Sequence, residues 1–434
     1  MNEVLVIAYY APPSNASGAA RINGLINHLE EFEWLPTILT RERSGKMDDR
    51  IKGSVVFTDY PGDIDRVLRR KLPILSNSYE RNDSDYVQHE GASPESTENL
   101  KRRLLRTVKE YTFEIAAYPD NQKLWKEHAI ERGRDLIQNG TFDAILSTSP
   151  PSTSHIVGSK LAEEFQLPWV ADFRDLWTNN HYNNHTILRS KIERKLEQDT
   201  IEKSSLLTTT TNQFADELKN IHDKQVNTVY NGFEKIQTAE LTDEFTITYT
   251  GGLYDGKRDP TKLFQAINRL LDSKAIDRER INVQFIGNFD PWFSKSVREY
   301  ELEDVVDIIG PVPRESVMKK QRESQILLSI QWDHPQEKMV CPGKIFEYLG
   351  AKRPILAYGG PDDSVVNSIL NQTKAGSKVS TVEEISEYIE TKYNEYVLNG
   401  NASYGGELNR IENFSHRKMA ENFSNALNMA INVY

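Results

Sequence analysis

Short apolar runs recur along this chain, each followed by a turn-rich loop and then by a helical pattern. Val4 to Tyr10 reads as a buried strand, and Ala11 to Gly18 follows as a loop of small and turn-forming residues. Ile22, Leu25, Ile26 and Leu29 then fall at helical spacing, and Trp34 to Thr40 is a second strand. The alternation continues through the strands Phe142–Ser149, Pro168–Asp172, Leu206–Thr210 and Val226–Tyr230. Helices are predicted around Trp125 to Leu136, Leu161 to Phe165 and Thr186 to Lys203, with another opening at Asn212 as its cap. A polar stretch without apolar period, Lys235 to Glu244, interrupts the series. The pattern then starts again with strands at Phe245–Thr250, Asn282–Ile286, Val305–Ile309 and Gln325–Ile330. A helix begins near Pro260, another at Pro342, and Ile355-Leu356-Ala357 is a further buried strand. Two successive βα series of this kind predict an α/β chain of two Rossmann-like domains facing a central cleft. The expected bounds are residues 1–234, residues 235–414, and a last helix, 415–434, crossing back to the first domain.

Composition agrees and narrows the function. A chain of 434 residues is too long for one ordinary domain. The formal net charge of −11 argues against broad binding to nucleic acid. The single cysteine, Cys341, excludes an internal disulfide and a cysteine-based zinc cluster. No run reaches the ~18 apolar residues of a membrane span, and the first residues lack the basic and small-residue pattern of a signal peptide. The expected location is the cytoplasm. Ser76 to Thr97 is polar and without period, and reads as a surface insertion. Lys101 to Lys109 and Arg66 to Lys71 are basic–apolar helices, suited either to solvent or to peripheral contact with an anionic membrane.

Three stretches carry candidate chemistry. In the second half, Pro342-Gly343-Lys344-Ile345-Phe346-Glu347 opens a helix with Pro342 in its first turn. Lys344 and Glu347 share one face, and Ile345, Phe346 and Leu349 form the buried one. The loop Gly251-Gly252-Leu253-Tyr254-Asp255-Gly256-Lys257-Arg258 adds two cations and a close backbone approach through Gly252. Cations and helix N–H groups suit a pyrophosphate, and a carboxylate suits a ribose diol. In the first half, Gly18 and Arg21 follow the first strand, Ser149 and His155 flank a Pro-Pro loop, and Asp172-Phe173-Arg174-Asp175 ends a strand. Parallel sheets place ligands at such strand ends, although an Arg–Asp pair also serves simply to hold a loop. The dinucleotide fingerprint G-x-G-x-x-G is absent from the first loop, which argues against hydride transfer.

In this order and spacing, YYAPPSNASGAAR, TSPPSTSH, PWVADFRDLWT, VYNGFE, YTGGLYDGKRDP and PGKIFEYLGAKRPILA resemble the retaining GT-B glycosyltransferases of family 4, the group 1 transferases. The resemblance covers nearly the whole chain. It implies metal-independent transfer of a sugar, with retention, from a nucleotide-diphosphate sugar to an acceptor hydroxyl, without a cofactor. It also implies a glycan or lipid-linked acceptor in cell-surface polysaccharide synthesis. Glu347 matches the second glutamate of the family's E-x7-E motif, which holds the ribose. Lys257 or Arg258 matches the basic group on the donor diphosphate, with Gly343 and Lys344 nearby, and Gly18 and Gly252 complete the donor side. Either Asp172 or Asp175 is expected to act on the acceptor, with Arg174 holding the loop or a phosphate. Arg21, Ser149 and His155 are placed at the acceptor or cleft. The chain departs from the family twice. Met339 stands where the motif has its first glutamate, with Glu337 close by, and Asp172-Phe173-Arg174-Asp175 replaces a histidine. A nucleotide-sugar 2-epimerase and a lapsed nucleotide-sugar-binding protein fit the same pattern.

Overall fold

A computed structural model describes residues 1–14, 17–42, 53–71, 115–183 and 185–433. The polar insertion 76–97 and the basic stretch 101–109 lie outside these residues. The chain divides into two compact units, Met1–Tyr230 with Met419–Tyr434, and Asn231–Lys418.

The first unit is built on a parallel seven-stranded sheet of order β3-β2-β1-β4-β5-β6-β7. Its strands are β1 (Asn2–Ala8), β2 (Trp34–Arg41), β3 (Ser54–Thr58), β4 (Ala144–Ser149), β5 (Trp169–Phe173), β6 (Leu206–Thr209) and β7 (Val226–Thr228). β1, β4, β5 and β6 are apolar runs because helices cover both faces of a parallel sheet, and β4, β5 and β6 are buried along their whole length. β3, by contrast, is an edge strand with one buried residue, and its apolar run is only Val55-Val56-Phe57. On one face Val4, Val6, Ile22, Leu25, Ile26 and Trp34 pack with Phe423, Ala426, Leu427 and Ala430 of the C-terminal helix. Asn428 of that helix accepts a hydrogen bond from the Trp34 indole at 3.0 Å. The burial of these side chains, each contributing about 1.5–3 kcal/mol for the larger apolar ones, binds the last helix to the first unit.

The second unit repeats the plan with a parallel six-stranded sheet of order β10-β9-β8-β11-β12-β13. These strands are β8 (Phe245–Thr250), β9 (Ile281–Ile286), β10 (Val306–Ile309), β11 (Ile326–Ile330), β12 (Ile355–Tyr358) and β13 (Gly376–Val379). Phe264, Phe285 and Phe293 form the aromatic heart of its core. In both sheets the order reverses beside the first strand, between β1 and β4 and between β8 and β11. Open parallel sheets bind ligands at the carboxyl ends of the strands flanking such a reversal.

Two local expectations shift. The helix Asn212–His222 is capped by Thr211, whose hydroxyl accepts from the Phe214 N–H, so Asn212 is its first residue and not its cap. Pro342 precedes the helix Gly343–Ala351 as its N-cap, with φ −60° and ψ 137°, and does not sit in the first turn. The helix Pro291–Glu299 was not expected at all, because only Phe293 and Val297 of it are buried. Among the described residues no helix is long and apolar enough to cross a membrane.

Candidate functional site

The reversal point of the second unit gathers most of the expected donor residues. β8 ends in Gly251, whose φ of +104° only glycine adopts without strain. Tyr348, on the helix Gly343–Ala351, ties that helix to the sheet. Its hydroxyl accepts from the Thr250 N–H at 3.2 Å and donates to the Leu328 carbonyl at 3.2 Å. Lys344 is thereby aimed back over β8. Its Nζ lies 3.7 Å from the centre of the Tyr249 ring and 3.2 Å from where a Cβ on Gly251 would stand. The Nζ is sealed from solvent and has no hydrogen-bond acceptor among the described residues. Burial, and then the charge of Arg258, push the Lys344 pKa well below the ordinary lysine value, while Glu347 pulls the other way. Arg258 is itself buried, with its guanidinium 4.2 Å from the centre of the Tyr254 ring.

Two cations thus sit together in low dielectric beside the start of a helix that no side chain caps. Each raises the cost of the other, and a helix N-terminus adds positive potential to both. A Cβ on Gly343 or Gly252 would meet nothing within 4 Å, so the space in front of both backbones is open. The sequence left Lys257 and Arg258 as alternatives, and the structure sends them to different places. Arg258 joins Lys344, whereas the Lys257 ammonium lies 4.5 Å from the centre of the Trp332 ring, which stacks on His334.

Glu347 is held from two sides. Arg314 meets its Oε1 at 2.7 Å, and the Gln321 amide donates to its Oε2 at 3.1 Å. Each carboxylate oxygen retains a second lone pair, so a diol can still bind there. Met339 and Glu337 are both buried in the short turn Pro335–Met339 that precedes the helix.

The first unit treats its candidates differently. Asp172 is 1% exposed and accepts four hydrogen bonds, from Arg21 Nε and Nη2, Thr148 and Thr208, at 2.8–3.0 Å. Burial alone would raise its pKa, but the Arg21 guanidinium and the hydroxyls outweigh burial and hold the carboxyl below its usual range. Arg21 is 2% exposed, bidentate on Asp172 and packed 4.7 Å from the centre of the Phe423 ring. Neither can reach an acceptor, so the pair is a buried knot linking a helix to three strands, and the catalytic expectation for Asp172 gives way. His155 is corrected likewise. It lies in the first turn of the helix Thr153–Phe165, fully buried, with its ring 4.5 Å from that of Phe173. Ser147 Oγ stands 2.8 Å from its Nδ1 and accepts from the Trp169 indole. Burial lowers the His155 pKa to about 3, so the ring is neutral and structural.

Arg174 reaches back to the loop after β4. Its Nε donates to the Ser149 carbonyl at 2.9 Å and its Nη2 to the Pro150 carbonyl. Ser149 is buried and takes part through that carbonyl. Gly18 is needed for the same packing, since a Cβ there would collide with the Arg174 guanidinium. Asp175 stays half-buried at the end of β5, outside the Asp172 knot.

No protein-family model matches the chain, and no curated protein matches it by sequence. Solved structures do resemble it along its length. Sucrose-phosphate synthase from Thermosynechococcus elongatus is similar with a TM-score of 0.62 at 12% identity, covering 98% of both chains. Anabaena HepE in complex with UDP and glucose gives 0.61 at 10%, covering 99% of this chain and 100% of its own. TarM gives 0.62 at 11%, covering 99% of both chains. These neighbours are glycosyltransferases of the GT-B fold. This chain has that fold.

Sequence reasoning missed four residues of the second-unit site. Tyr249 supplies the ring under Lys344, Arg314 and Gln321 hold Glu347, and Tyr348 positions the helix. Tyr348 alone was findable, as the polar-tipped member of an otherwise apolar helix face.

Proposed function

We propose that the chain transfers a sugar from a nucleoside-diphosphate sugar to an acceptor hydroxyl, with the donor diphosphate bound by Lys344, Arg258 and the start of the helix Gly343–Ala351. The observation that carries this reading is the sealed Lys344 Nζ, which lacks an anionic partner beside a second buried cation. Burying like charges together costs stability unless something binds between them. A diphosphate supplies that charge, and the uncapped helix start supplies N–H donors. As the glycosidic bond breaks, negative charge accumulates on the leaving diphosphate. Fixed cations in a dry site stabilise that added charge more than the less charged pyrophosphate of the ground state. In this reading Lys344 and Arg258 do the work often given to a divalent metal, and the reaction is metal-independent. Glu347, oriented by Arg314 and Gln321, accepts from the ribose hydroxyls. Support for uridine as the base comes from HepE, which was solved with UDP and UDP-glucose. A TarM variant was solved with α-GlcNAc-glycerol and UDP. Retention of configuration and a glycan or lipid-linked acceptor follow from the motif resemblance.

The test is turnover. UDP release from UDP-glucose and UDP-GlcNAc is measured with and without a panel of glycan acceptors, in EDTA. Acceptor-dependent release that persists in EDTA is expected, with the rate lowered at least about a hundredfold in Lys344→Met. Conversion of the donor sugar to an epimer without acceptor, or strict dependence on added magnesium, contradicts the proposal.

A further inference from the structure

Arg41, at the end of β2, carries a guanidinium that the rest of the described molecule leaves without an ionic partner. It forms no hydrogen bond or ion pair with any described residue, and its Nε is sealed from solvent. Its position is nevertheless fixed. The guanidinium carbon lies 4.6 Å from the centre of the Tyr9 ring and 5.1 Å from that of Tyr60, and those two rings meet at 81°. The rings are locked in turn. Tyr9 donates to Asp63 Oδ1 at 2.8 Å, and Tyr60 donates to the same oxygen. The Asp63 carbonyl accepts from the Val67 N–H, so Asp63 also begins the helix Ile64–Lys71. Trp125 packs edge-on to Tyr9 and donates to Thr58, the residue paired with Arg41 at the end of β3. Both phenols are pushed well above the usual tyrosine pKa, by burial first and then by Asp63, so they stay protonated as donors.

This arrangement is a holder for the cation and not a neutralising site. Asp63 gives its Oδ1 to the two phenols and forms no ion pair with Arg41. Glu42 follows Arg41 and Asp59 follows its strand partner Thr58, but both are exposed and neither pairs with Arg41. Aromatic rings stabilise a guanidinium through its faces and leave its in-plane N–H edge available, the edge that forms a two-pronged contact with an oxyanion. The half-buried residue keeps part of its surface in solvent. The clamp also lies where a parallel sheet puts ligands, at the carboxyl ends of β1, β2 and β3.

We propose that Arg41, held by Tyr9 and Tyr60, binds the oxyanion of a negatively charged acceptor, a phosphate or a carboxylate on the sugar that receives the transferred residue. The proposal rests on the transferase reading for the word acceptor, and on the first unit's own geometry for the oxyanion.

Calorimetric titration of the full-length protein with glucose 6-phosphate, glucuronate and glucose tests it, using wild type, Arg41→Gln, Arg41→Lys and Lys344→Met, with UDP titrated into each. The expected result is binding of glucose 6-phosphate, glucuronate or both, and none of glucose. Arg41→Gln weakens that binding about tenfold or more, Arg41→Lys less, and Lys344→Met leaves it unchanged. The two charged sugars separate a phosphate site from a carboxylate site. Binding that survives Arg41→Gln, binding lost only in Lys344→Met, or no charge-dependent binding in wild type overturns the proposal. UDP reports separately on the donor reading. Its loss from Lys344→Met and retention in Arg41→Gln confirm the donor site whether or not the clamp binds.

Discussion

Lys344 and Asp172 show opposite uses of a buried charge. Asp172 is neutralised by Arg21 and held by two hydroxyls, so removing it strips the buried guanidinium of its carboxylate. Asp172→Ala is expected to cost about 3–5 kcal/mol in urea denaturation, without any selective loss of donor binding. The sign with pH follows from the lowered carboxyl pKa. The ionised form is favoured in the folded state, so the contribution is present above the unfolded-state pKa of about 4 and is lost as pH falls through the lower folded value. Lys344 behaves the other way. Its ammonium is penalised on folding, so the penalty is full below its lowered folded pKa. It is relieved as pH rises from there toward the ordinary lysine value of about 10.4. Lys344→Met is therefore expected to leave stability unchanged or raise it, because burial and Arg258 cost the ammonium more than Glu347 returns. A urea midpoint lower than wild type by more than about 1 kcal/mol would mean that Lys344 is structural.

At the scale of elements, the helix Gly343–Ala351 and the turn after β8 form one device. Tyr348 fixes the helix against β8 and β11, and Gly251 leaves room for Lys344. Gly251→Ala introduces a Cβ 3.2 Å from the ammonium, in a backbone conformation that alanine resists. Fluorescence titration with UDP is expected to show weaker binding by about tenfold, while Gly310→Ala, whose Cβ meets open space after β10, changes it little. Equal effects of the two substitutions would mean that the turn does not position Lys344. The strands around this device were legible because fully covered parallel strands are continuous apolar runs. The edge strand Ser54–Thr58 was not, because its apolar run is three residues long, Val55-Val56-Phe57, and none of the three is fully buried. The helix start was legible to within one residue, since Pro342 suits both the cap and the first turn. What no pattern reveals is which side chains meet. Arg21 and Asp172 are far apart in sequence, so their pairing and burial appear only once the sheet has formed. Both therefore looked like site residues, as did His155, whose place inside an aromatic cluster depends on Phe173 and Trp169.

Across the whole molecule, the net charge of −11 is the wrong sign for capturing a nucleotide diphosphate. Capture must then come from the local pair Lys344 and Arg258 and from the helix start, where low dielectric strengthens each interaction. The repeated sheet order also separates the two units by chemistry. The strand ends of the second hold open backbone and the unpaired Lys344 ammonium, whereas those of the first hold a closed Asp172 knot, an Arg174-bound loop and the Arg41 clamp. The most direct measurement is a calorimetric titration of UDP and UMP into wild type and Lys344→Met, in two buffers of different ionisation enthalpy. UDP is predicted to bind wild type more tightly than UMP, with proton uptake above the lowered Lys344 pKa, because binding favours the ammonium form. Lys344→Met is predicted to weaken UDP at least about tenfold, to abolish the uptake and to leave UMP nearly unchanged. UDP binding equal in the two proteins, with no proton linkage in either, would contradict the account.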